Sequence, residues 1–92
     1  MIDVKTEQAA EILKTLAHPM RLRIMLVLAQ QPFLNVSTLL RQLPIEPPQL
    51  SQHLTKLKDR GILKSIRQGK EVYYSLVDSY LVKALAILLA GE

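Results

Sequence analysis

Several things are scarce in this chain, and each scarcity excludes something. It has no cysteine, so no disulfide, no thiolate metal ligand and no thiol redox sensor can be built. Aromatic residues make up only 4%. The core must therefore be aliphatic, and a leucine-rich core with few β-branched runs favours helices. Long apolar runs are missing too. The longest stretch, Tyr80–Ala90, is interrupted by Lys83 and is too short to cross a bilayer. The N-terminus lacks a charged start, an apolar segment and a small-residue cleavage site, so no signal peptide is expected. A reducing, cytoplasmic setting is the expectation. No nucleophile motif, phosphate-binding glycine loop or carboxylate cluster occurs, so neither catalysis nor a cofactor is expected.

What is present is globular in balance. The 92 residues are 49% hydrophobic and 22% charged, a composition that folds. This length fits one domain, residues 1–92, and is small enough to gain from a partner subunit. The formal net charge is +4, and its placement says more than its size. Lys56, Lys58, Arg60, Lys64, Arg67 and Lys70 lie between positions 51 and 70, opposed by Asp59 alone. The first eighteen residues are near balance, with Asp3, Glu7 and Glu11 against Lys5 and Lys14. A basic stripe on a small domain points to a polyanion, most often nucleic acid. A solvated helix face followed by an ordinary hairpin is the plainer reading of charge alone.

Periodicity gives the order of elements. Ala9, Ile12, Leu13 and Leu16 recur at helical spacing, predicting a helix over Val4–Ala17. His18-Pro19 ends it, and Pro19 opens a second helix reaching Gln30. Its inward residues are Leu22, Met25, Leu26, Leu28 and Ala29, with Arg21 and Arg23 more exposed. Phe33-Leu34 reads as a short extended piece. Asn35 is a suitable N-cap for a short helix over Val36–Leu43, which Pro44 stops. A fourth helix ends at Gly61, a good C′ residue. Ile62–Arg67 and Glu71–Ser75 read as strands joined through Gln68-Gly69-Lys70. Asp78 is placed to cap a last helix, Ser79–Ala90. The fold class is mainly α with a small β-hairpin.

The fourth helix begins with two prolines. The first turn of a helix has N–H groups without intrahelical acceptors, so proline loses little there. Pro47 and Pro48 can start the helix, with Glu46 near the cap. At about 100° per residue, Leu50, Leu54 and Leu57 share the inward face. Pro48, Gln52, Thr55 and Asp59 lie opposite, flanked by Gln49, Ser51 and Lys56. The third helix, the link Pro44–Glu46 and the fourth helix form a helix-turn-helix. In that arrangement the second helix enters the major groove and its first turns meet base edges. Gln49, Ser51 and Gln52 are donors and acceptors suited to bases. Lys56 and Arg60 suit phosphates. The hairpin becomes a wing with Arg67, Gln68 and Lys70 at its tip, in reach of backbone or minor groove. A polar face opposite a leucine stripe is by itself only a solvated face; the ordered combination is what points to duplex DNA.

The strings "LAHPMRLRIMLVL", "LSQHLTKLKDRGIL" and "RQGKEVYYSL", in that order and spacing, resemble the ArsR (ArsR–SmtB) family of winged-helix repressors. The likeness covers about Ala10 to Leu88. It implies a homodimer repressing transcription at a palindromic operator, with the first and last helices at the dimer interface. An apolar helix such as Tyr80–Ala90 has to be covered on more than one side. Leu81, Leu85, Leu88 and Leu89, with Leu13 and Leu16, are the interface candidates. The family's base-reading positions map onto Pro47, Pro48, Gln49, Ser51 and Gln52. Relatives usually have polar residues at the first two, where this chain can offer only apolar contact, for instance to a thymine methyl.

Metal-sensing members carry a Cys-Val-Cys-like pair, which falls here on Asn35, Val36 and Ser37. A second family site uses Asp-x-His. Here Asp78 is kept but Tyr80 replaces the histidine. No metal site is expected, and a small-molecule or protein effector has no motif to identify it. His18 reads as a junction residue, and His53 as a partly buried structural histidine rather than a base reader. One of Tyr73 and Tyr74 should pack inward. The alternative of another class is a winged-helix interaction module without DNA binding, acting through its apolar last helix.

Overall fold

Proline and glycine set most element boundaries. The computed structural model describes residues 4–78 and 80–91. They form helices α1 (Val4–Leu16), α2 (Pro19–Gln30), α3 (Val36–Gln42), α4 (Pro47–Asp59) and α5 (Tyr80–Ala90), with strands β1 (Leu34–Asn35), β2 (Leu63–Gln68) and β3 (Glu71–Leu76). The boundaries differ from the sequence expectation by one residue at several ends, and the expected helix start at Ser79 lies outside the described residues.

Both proline-led helices start in the same way. His18 and Glu46 are extended, as residues before proline must be. Their carbonyls accept the first helical bonds, from Leu22 N–H at 3.1 Å and Leu50 N–H at 3.0 Å. Pro47 and Pro48 thus occupy positions whose N–H groups would have had no acceptor. Asn35 caps α3, its Oδ1 accepting from Thr38 N–H at 2.9 Å. Asp78 Oδ1 accepts from Tyr80 N–H at 3.2 Å where α5 begins. The end of α4 is a Schellman turn. Ile62 N–H bonds to the Leu57 carbonyl and Gly61 N–H to the Lys58 carbonyl, both at 2.9 Å, and Gly61 takes φ +74°.

The sheet is antiparallel in the order β1-β3-β2. Gln68 pairs with Glu71, so the hairpin loop is only Gly69-Lys70. Gly69 has φ +62° and Lys70 a negative φ, the signs of a type II′ turn. Leu34 and Asn35 add the third strand by pairing with Tyr74 and Tyr73. Phe33 stacks on Tyr73 with ring centroids 4.6 Å apart, while Tyr74 packs against the core.

The core is aliphatic. Ile24, Met25, Leu28, Leu39, Leu50, Leu54, Leu57 and Leu63 are essentially inaccessible. Two expected interface residues also belong to it: Leu16 is 5% and Leu85 8% exposed. These side chains hold α1 and α5 to their own protomer. Helical spacing marks an apolar face without saying what covers it.

Candidate nucleic-acid interface

α4 is fixed before it can present anything. Ile45 N–H bonds back to the Leu43 carbonyl at 2.9 Å, tightening the link after α3. Ile45 packs on the core, and Leu50, Leu54 and Leu57 anchor one face of α4. The opposite face is solvent-accessible. Pro47, Pro48, Gln49, Ser51, Gln52, Thr55 and Lys56 are all exposed, with the prolines, Gln49, Ser51 and Gln52 in the first two turns. Arg67, Gln68 and Lys70 are exposed around the hairpin turn. Polar side chains on a rigid helix and a basic hairpin can offer base-edge and phosphate contacts together.

Arg60 also has a partner within the protomer. It ends α4 and forms an exposed ion pair with Glu11 of α1, at 3.3 Å. Such surface pairs contribute little stability, but this one turns the guanidinium toward α1. Asn35 and Asp78 are engaged locally, since Asn35 caps α3 and Asp78 bonds at the start of α5.

One cluster was not foreseen. Arg21, expected to be exposed, is half-buried at the start of α2. Its Nε donates to His53 Nδ1 at 3.0 Å and its Nη1 to the Thr15 carbonyl at 2.9 Å. The His18 ring lies 6.1 Å from that of His53, centroid to centroid. Burial first, then the Arg21 charge, then His18 hold the His53 imidazole below its ordinary value of 6.5. Its Nδ1 accepts, so the neutral ring carries its proton on Nε2. Arg21 also lines an open cleft of about 520 Å³ with Ser51, Gln52, His53, Thr55 and Lys56.

A short helix, a tight link, a second helix with an exposed polar start and a basic hairpin define a winged helix-turn-helix protein. Comparison with known proteins agrees. A family profile described as a helix-turn-helix domain matches residues 16–66. The transcriptional repressor PagR of Bacillus anthracis is 46% identical over 70 residues, covering 76% of this chain and 70% of PagR. Its crystal structure superposes with a TM-score of 0.81 at 39% identity, covering 91% of this chain and 95% of that one. The repressor SmtB of Mycobacterium tuberculosis is 38% identical over 88 residues, 94% of this chain and 64% of SmtB. The structure of the repressor BigR from Xylella fastidiosa has a TM-score of 0.81 at 36% identity, covering 96% of this chain and 90% of that one. The chain belongs to the ArsR–SmtB family of winged helix-turn-helix transcriptional regulators.

Proposed function

We propose that the chain is a cytoplasmic, homodimeric transcriptional repressor that binds a palindromic DNA operator. In this reading, residues 1–92 act as one DNA-binding and dimerisation unit. Helix Pro47–Arg60 enters the major groove, and the wing around Gly69 reaches the neighbouring backbone or minor groove.

The face of α4 carries the reading. Its three leucines are buried, which leaves Gln49, Ser51 and Gln52 exposed in the early turns with Lys56 behind them. Gln pairs in two ways with adenine, and Ser contacts several bases. Pro47 and Pro48 offer only apolar contact, which narrows the base-reading set to those three polar residues. The relatives named as repressors support the direction of regulation.

Selection of duplexes from a random DNA pool, followed by titrations across salt, tests the reading. Log affinity should fall with log salt, at about 0.9 per phosphate neutralised. Lys56→Ala with Arg67→Ala should flatten that slope by about one unit per removed contact, alike on all sequences. Gln49→Ala with Gln52→Ala should instead erode discrimination between selected and scrambled duplexes. A wild-type protein with no affinity for any duplex at low salt sinks the proposal.

A further inference from the structure

We propose that Arg21 and His53 form a preset site for one backbone phosphodiester of the operator, in the cleft between the α1–α2 junction and the exposed flank of α4. This rests on the DNA-binding reading above and extends the contact surface to α2.

A half-buried guanidinium is normally matched by a carboxylate. Arg21 has no carboxylate partner among the described residues; its two bonds go to an imidazole and a backbone carbonyl. Neither acceptor is charged, so the full positive charge stays uncompensated. The same two bonds fix the guanidinium plane, and its other N–H groups remain as donors.

The surroundings favour an anion. The cleft that Arg21 shares with Ser51, Gln52, His53, Thr55 and Lys56 has no acidic residue in its lining. A smaller cavity of about 200 Å³ shares Arg21 and Lys56 with it and is also lined by Lys14, Thr15, His18 and Arg60, with Glu11 its one carboxylate. Glu11 is already engaged by Arg60. His53 adds a neutral donor, because accepting from Arg21 at Nδ1 puts its proton on Nε2. A planar fork of donors beside a lysine and a hydroxyl fits a phosphate oxygen pair. The site sits beside Ser51 and Gln52 on α4, so a groove-bound α4 brings the adjoining DNA backbone to it.

The test uses a selected operator duplex in which single phosphates are replaced by neutral methylphosphonates. One position in each half-site should weaken wild-type binding about tenfold, as expected for loss of a charged hydrogen bond. Arg21→Gln should bind the unmodified duplex more weakly by a similar factor, flatten the salt slope by about one per protomer, and show no further loss at that position. His53→Asn keeps an acceptor near the Nδ1 position but lacks Nε2–H. It should lose affinity through the same phosphate with an unchanged slope, and it carries the test if Arg21→Gln does not fold. Losses that simply add at every phosphate, for both variants, overturn the site. So does displacement of the DNA from this site by millimolar inorganic phosphate at constant ionic strength, which would assign it to a free anion. A wild type that binds no duplex fails the DNA-binding reading itself, whereas normal binding without coupling fails only this site.

Discussion

An imidazole that accepts a hydrogen bond at Nδ1 cannot be protonated there without losing it. His53 is in that position, with Arg21 as donor and His18 nearby. Its folded-state value lies below 6.5 because of burial, the Arg21 charge and His18. The unfolded chain therefore binds the proton more readily than the folded one, and stability rises with pH through this window. The contribution is fully present above about 6.5 and is lost as pH falls through the lower, folded value. Carboxylates titrate mostly below this range. His53→Asn should thus flatten the dependence of denaturant midpoint on pH between about pH 7 and pH 5. Parallel wild-type and variant curves would show that the Arg21–His53 bond is not coupled to folding. Nothing in helical spacing reveals this pair. Its members lie 32 positions apart, and periodicity reports which face a residue occupies but not which residue it meets.

At the level of elements, local rules dominate, and these were legible. Proline after an extended residue marked the starts of α2 and α4, and Gly61 marked the end of α4. The Gly61 turn offers a clean test, because a Cβ added there meets no atom within 4 Å. Gly61→Ala therefore carries only the backbone penalty of φ +74°, about 1–2 kcal/mol. Urea denaturation should show that loss with an unchanged m-value, while the salt slope of DNA binding stays as in the wild type. An unperturbed stability would mean the turn relaxes to another conformation. The strand β1 was less legible. Leu34-Asn35 is too short to show alternation, and its place beside β3 depends on pairing with Tyr74 and Tyr73. The same limit holds for Leu16, Leu85 and Arg60: spacing gives each a face, but its neighbour within the protomer is set by tertiary packing.

On the scale of the whole molecule, an apolar surface is left over. With Leu85 turned inward, α5 still exposes Tyr80, Leu88, Leu89 and Ile87, the last at 77%. Leu13 on α1 is 67% exposed, and both helices pack on α2. Leu81 is half-buried against the core. Exposed apolar surface of this kind is costly for a lone small domain, and the proposed two-fold interface would remove it from water. In the proposed dimer, two-fold pairing would also give the operator its form, with two α4 helices about 34 Å apart on one side of the duplex. Ile87→Asp with Leu88→Asp tests this without touching the protomer core. Sedimentation should show wild type near twice 10.4 kDa and the variant near 10.4 kDa, with helical content retained. Losing the second half-site should then reduce affinity for a palindrome by roughly 10²–10⁴, while a single half-site is bound about equally by both proteins. A variant that remains dimeric would move the interface off α5. A wild type that is monomeric while bound to both half-sites would make DNA, rather than α5, the agent of pairing.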